Sequence, residues 1–189
     1  MVNSKLKVIS LLEMITNLPK NENEIPIKEA FNPMALPQFL PYYLLGKMHR
    51  LGSVIVHITG EKLNGVYNEL LKGIDIFDIM AAAEKKFVTN LHKTMFEHPC
   101  GVHTTRQLTK ETGLVITLST YSIPMISKNG KDKYFLMYFE DLTAASQTDS
   151  MKGKLSDLSP YTSLEFVDLG SGTPKDDAFI AGLPALGLA

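Results

Sequence analysis

A single cysteine, Cys100, stands among 189 residues, so the chain can close no internal disulfide. Tryptophan is absent altogether. No apolar run reaches the roughly 18 residues that a membrane-spanning helix requires. Nor does either charge prevail. Nineteen basic residues face 20 acidic ones, a formal net charge of −1, which supplies no basic footprint for nucleic acid. The lysine-flanked apolar stretch MVNSKLKVISLLEMITNLPK is interrupted by Glu13 and has no small-x-small cleavage pattern, so it does not read as an export signal. The expectation is a cytoplasmic protein with neither nucleic acid nor membrane as partner. What is present is 44% apolar and 8% aromatic, enough for one packed domain with terminal extensions.

Val8, Leu11, Leu12, Ile15 and Leu18 recur at helical spacing and predict an amphipathic helix, ended by Pro19 and the run KNENE. Its apolar stripe must be buried, either on its own domain or on a second copy. Residues 1–24 therefore read as helix and linker, 25–142 as the domain, and 143–189 as a C-terminal extension. Pro33, Pro37 and Pro41 punctuate a segment suited to short helical turns. YYLLGKMHR and SVIVHIT then alternate as two strands joined around Leu51 and Gly52, with Val54, Val56 and Ile58 on one face of the second.

After Gly60, EKLNGVYNELLKG and IDIFDIM predict short helical pieces. AAAEKKFVTNLHKTMFEH predicts a longer helix with the stripe Phe87, Val88, Leu91 and Met95, stopped before Pro99. VHTTRQLT, LVITLSTYSIPMI and KYFLMYFEDL predict three strands, turning at Gly113 and at Asn129-Gly130. The class is α+β: a five-stranded antiparallel sheet, short helices and one longer helix on one face, and the N-terminal helix ahead of them. Beyond the polar stretch AASQTDSMKGKLSD, SLEFVDLG suits an extra strand at 163–170. The final AGLPALGLA has no periodicity and suits a docking peptide or a protease handle.

Five stretches in this order carry a resemblance: IPIKEAFNPMALPQFLPYYLL, HITGEKLNGVYNELLKGIDIFDI, EHPCG, YSIPMISKNGKDKYFLMYFE and FVDLGSGTP. Together they resemble a PAS-type domain family of small, often stand-alone alphaproteobacterial proteins, over about residues 25 to 174. The chain differs from that family's commoner pattern in having no tryptophan. The resemblance implies a sensory or adaptor module rather than an enzyme, with any ligand held between the longer helix and the inner sheet face. It also implies a homodimer paired through the N-terminal helix. No kinase, cyclase or DNA-binding segment adjoins, so output would pass to a signalling protein partner.

The residues facing such a cavity are Val56 and Ile58 from the second strand, and Val88, Leu91, His92 and Met95 from the helix. Thr104 and Arg106 share the parity of Val102 in the third strand, where Arg106 would meet an acidic group at the rim. In the fourth, Leu114, Ile116, Leu118 and Thr120 form the more apolar face and point inward. The ligand so lined is small and mostly apolar. Some PAS domains hold haem through a histidine on this helix, so the resemblance leaves His92 as an optional haem ligand.

The heptapeptide EHPCGVH offers a different chemistry. His98, Cys100 and His103 are three candidate ligands in one cluster, short of the four a structural zinc takes, and no second cluster supplies the rest. A small cysteine enzyme would pair Cys100 with His98 or His103, yet Cys100 follows a helix C-terminus, whose dipole disfavours a thiolate. A scaffold that holds no ligand is the other alternative.

Overall fold

The computed structural model describes residues 4–67, 71–80, 82–109, 113, 115–140 and 161–174. The linker at 141–160 and the apolar tail from 175 onward lie outside the described residues, as does Leu114. In chain order the elements are α1 (Ser4–Thr16), β1 (Tyr43–Arg50), β2 (Ser53–Thr59), α2 (Glu61–Tyr67) and α3 (Ala82–Glu97). They continue with β3 (Cys100–Thr109), β4 (Val115–Ile126), β5 (Lys133–Glu140) and β6 (Tyr161–Asp168). Short 3-10 turns at Lys28–Ala30, Pro33–Ala35 and Pro37–Tyr42 fill the stretch between α1 and β1.

The strands form one sheet in the order β2-β1-β5-β4-β3-β6, every neighbour antiparallel. The expected five strands are thus six. Tyr161–Asp168 adds to the edge of β3, where alternation turns Leu164 and Phe166 toward the core and an irregularity at Thr162 brings Tyr161 to the same side.

The sheet separates two apolar clusters. On the inner face, Val88, Leu91, Met95 and Phe96 of α3 pack with Val56, Val102, Ile116, Leu118 and Phe135. On the outer face, Val8, Leu11 and Ile15 of α1 pack with Leu45, Ile123, Met125, Leu136 and Tyr138. The stripe of α1 is therefore buried within its own chain. β5 explains why one sheet can support both layers. Its residues from Tyr134 to Phe139 are all buried and alternate between the two clusters.

Local chemistry sets the boundaries. β4 turns into β5 at Ser127–Gly130, where Gly130 takes φ 72°, a left-handed conformation that glycine adopts without a Cβ clash. Ser127 and Asn129 side chains brace this turn, each accepting a backbone N–H from the returning chain. Gly60, after β2, lies so close to Leu40 and Pro41 that a Cβ there would fall 2.3 Å from the Pro41 carbonyl carbon.

Two local expectations are corrected. IDIFDIM is not helical. Ile74 and Val54 carbonyls accept from Val56 and Ile76, and Gly73 donates to Val56, so this segment covers the open edge of β2. Asp75 anchors it, its carboxylate accepting from Ser53 Oγ and from the backbone N–H groups of Val54 and Phe77. Burial would raise the Asp75 pKa, but these hydrogen bonds outweigh burial and lower it.

The second correction is Ile58. The register passes from Leu45↔Ile58 to Gly46↔Val56, which leaves His57 as an extra residue in β2. Such a bulge reverses the alternation beyond it. Val56 stays buried, whereas Ile58 turns to the outer side and is 44% exposed.

Candidate functional site

The predicted inner wall assembles from four elements. Val56 comes from β2, Val88, Leu91, His92 and Met95 from α3, Thr104 and Arg106 from β3, and Ile116 and Leu118 from β4. All but Arg106 are buried, and the apolar ones join a single cluster. Ile58 alone of the predicted set lies elsewhere. The stripe of α3 explains the arrangement, since residues three and four apart share one helical face.

His92 is the chemically distinctive member. It is 3% exposed, and its ring stacks on Phe135 of β5 with centroids 3.9 Å apart and planes at 29°. Phe77 meets the same imidazole edge-on at 5.7 Å. Its Nδ1 is buried without a hydrogen-bond partner. Burial penalises the imidazolium and pushes the pKa down to about 3, so the ring is neutral at physiological pH. A neutral imidazole carries one donor and one acceptor nitrogen, and an unsatisfied buried polar atom costs about 1–3 kcal/mol.

This packing does not fit haem. His92 is itself buried, with Phe77 and Phe135 against its ring, in a core where Leu91, Met95 and Leu118 are buried too, so a macrocycle on His92 would have to displace packed side chains.

Arg106 points inward, as its parity requires. Its Nη1 lies 3.5 Å from Glu84 Oε1 in the first turn of α3, and its Nη2 3.3 Å from the Tyr67 hydroxyl at the end of α2. The Tyr161 ring of β6 covers the guanidinium at 5.4 Å. Side-chain exposures of 16% for Arg106 and 10% for Glu84 make this a largely desolvated pair. Burial opposes the charge most strongly, but Tyr161, Tyr67 and Glu84 together outweigh it and raise the Arg106 pKa. The acidic group that Arg106 meets is thus one of its own chain.

The histidine-cysteine cluster does not come together as a reactive site. Cys100 faces the inner core with no exposed surface, and burial, aided by Asp168, pushes its thiol up to about 12. His103 has the opposite parity and faces outward, where its Nε2 meets Ser119 Oγ at 2.8 Å and its ring stacks on Tyr121 at 4.3 Å. His98 Nε2 is buried and without a partner, just past the end of α3. Among the described residues, no three histidine, cysteine or carboxylate side chains converge as a metal group would need.

Sequence reasoning missed Phe135, Phe77, Glu84, Tyr67 and Tyr161. Phe135 sits in a strand buried on both faces, so alternation offered no inward parity. Tyr161 lies in the extension, beyond the expected sheet. On the outer face, Leu11, Met14, Phe31, Leu36, Phe39 and Tyr138 line an apolar groove between α1 and the 3-10 turns.

Comparison with known proteins adds a partial likeness. The chain matches no family model and no curated protein. Among solved structures it is similar to an RNA-binding Light-Oxygen-Voltage receptor, at 13% identity over 71% of this chain and 39% of that one, with a TM-score of 0.44. The chain therefore spans about two fifths of that receptor chain. Among the described residues, no helix is long and apolar enough to cross a membrane.

Proposed function

We propose that this chain is a PAS-type sensory or adaptor module whose stimulus site is the inner wall around His92. The order of elements supports the reading: two strands, a short helix, a longer helix, then three antiparallel strands, with the longer helix packed on one sheet face. The buried Nδ1 of His92 carries it. A neutral imidazole in an apolar shell, with one nitrogen unsatisfied, suits a small, mostly apolar molecule bearing one hydrogen-bonding group. No nucleic acid enters this reading, in keeping with the net charge of −1.

Native mass spectrometry of freshly purified protein tests it. A bound small molecule in the wild type, lost in His92→Leu, is the expected result. A wild type with no added mass across preparations contradicts the ligand. A scaffold that binds no ligand is the second reading, favoured by the close mutual burial of Val56, Met95, Ile116, Leu118 and Phe135.

Output would pass to a signalling partner in the cytoplasm, and the module would act as a homodimer through α1. Ile9, 50% exposed on that helix while Val8, Leu11 and Ile15 are buried, supports the pairing. Ile9→Glu should halve the mass in solution while leaving the far-UV circular dichroism spectrum of the folded chain unchanged. An unaltered dimer, or a monomeric wild type, contradicts it.

A further inference from the structure

We propose that β6 is a displaceable strand, latched onto the domain by the Tyr161 ring over the Arg106 guanidinium and hinged at Leu169. The latch depends on one irregularity. Thr105 pairs with Ser163, but Arg106 pairs with Tyr161, leaving Thr162 as the extra residue. The Thr162 hydroxyl donates to the Thr105 carbonyl at 3.1 Å and braces the bulge. In unbroken register Tyr161 would fall opposite Gln107 and face outward. The bulge turns it inward instead, onto Arg106 and beside Phe87 of α3 at 5.8 Å.

β6 is held unevenly. Tyr161 is its only buried residue, while Leu164 and Phe166 are half-buried and the remaining residues are half-buried or exposed. Beyond the strand, Leu169 is fully buried in the outer cluster, and Lys20 Nζ donates to its carbonyl. Asp168 accepts from Gly170 and Gly172 and fixes the turn that follows. Besides the ladder to β3, the C-terminal end is therefore pinned by a buried side chain and several side-chain hydrogen bonds, and the N-terminal end by the Thr162 hydroxyl and the buried Tyr161 side chain.

Lifting that ring leaves the charges provided for. Arg106 keeps Glu84 and Tyr67, at 3.5 and 3.3 Å, and gains water in place of the ring. No buried charge is stranded by the opening, which distinguishes it from breaking the ion pair itself. The same guanidinium touches α2, α3 and β6, so a shift of either helix bears directly on the latch. Opening would also uncover the edge of β3. This inference requires no ligand at His92.

Hydrogen exchange on the full chain, read by mass spectrometry, tests it. In the wild type, peptides covering Tyr161–Glu165 should exchange at least about tenfold faster than those of β4 and β5, as a unit that opens below global unfolding. Tyr161→Ala should speed exchange in that segment about tenfold further with β4 and β5 unchanged. Tyr161→Phe, which keeps a ring over the guanidinium but loses the hydroxyl's hydrogen bond with Arg106, should fall between the wild type and the alanine variant. Exchange of β6 in step with β4 and β5 in the wild type overturns the proposal, whether or not the alanine variant folds. So does a β6 rate that Tyr161→Ala leaves unaltered.

Discussion

His92 should make the stability of this protein depend on pH between about 6.5 and about 3. An unfolded histidine titrates near 6.5, whereas the buried imidazole titrates at about 3. Between those values the unfolded chain binds a proton that the native chain refuses, so the stabilisation present above pH 6.5 is lost as pH falls toward 3. Each unit costs about 1.4 kcal/mol, which gives about 2 kcal/mol at pH 5. His92→Leu removes the proton site and also the unsatisfied Nδ1, at the expense of stacking on Phe135. At pH 7 its stability should lie within about 1 kcal/mol of the wild type, because the orphaned nitrogen and the lost ring contact offset one another. Urea unfolding of both proteins, refolded free of any bound molecule, provides the assay. The difference between them should shift by about 2 kcal/mol in favour of the variant from pH 7 to pH 5. Parallel curves, with a shift under about 0.5 kcal/mol, would show that His92 titrates normally and is not desolvated.

Three further outcomes follow from the packing. Gly60→Ala places a Cβ 2.3 Å from main-chain atoms of Pro41, which cannot rotate away, so a loss of about 3 kcal/mol or more is expected in denaturant titration. A loss under about 0.5 kcal/mol, on the scale of a surface change, would mean the chain does not approach so closely there. Arg106→Ala removes the guanidinium beside the buried Glu84 carboxylate and should destabilise by about 3–5 kcal/mol, while Arg106→Met with Glu84→Gln should restore much of that. Equal losses in the single and double variants would refute the ion-pair reading. Cys100, buried with its thiol pushed up to about 12, should react with a thiol reagent at pH 8 on the order of 10³-fold more slowly in the native state than in denaturant. Comparable rates would place the thiol at the surface.

Much of the framework was legible because alternation and turn chemistry are local. Spacing predicts α3 over 81–98, and it runs Ala82–Glu97; the dipeptide Asn129-Gly130 marks the turn that the chain makes there. What escaped was nonlocal. Simple alternation assigns Ile58 inward, and only pairing with β1 inserts the bulge at His57 that turns it out. IDIFDIM has helical spacing, but the β2 edge offers its backbone better partners through Asp75. Arg106 could be placed on a face but not given its partners, which lie 22, 39 and 55 residues away in Glu84, Tyr67 and Tyr161. Cys100 and His103 sit three apart in sequence, yet strand parity sends them to opposite sides of the sheet.

The imidazole nitrogens of His92 give the most direct test of a stimulus site at that residue. Nitrogen-15 resonances would be recorded for protein as purified and for the same protein unfolded, dialysed and refolded. A site that holds a small molecule against Nδ1 predicts a neutral ring in both samples and a displaced Nδ1 resonance in the first alone. Identical Nδ1 resonances in the two samples would contradict it.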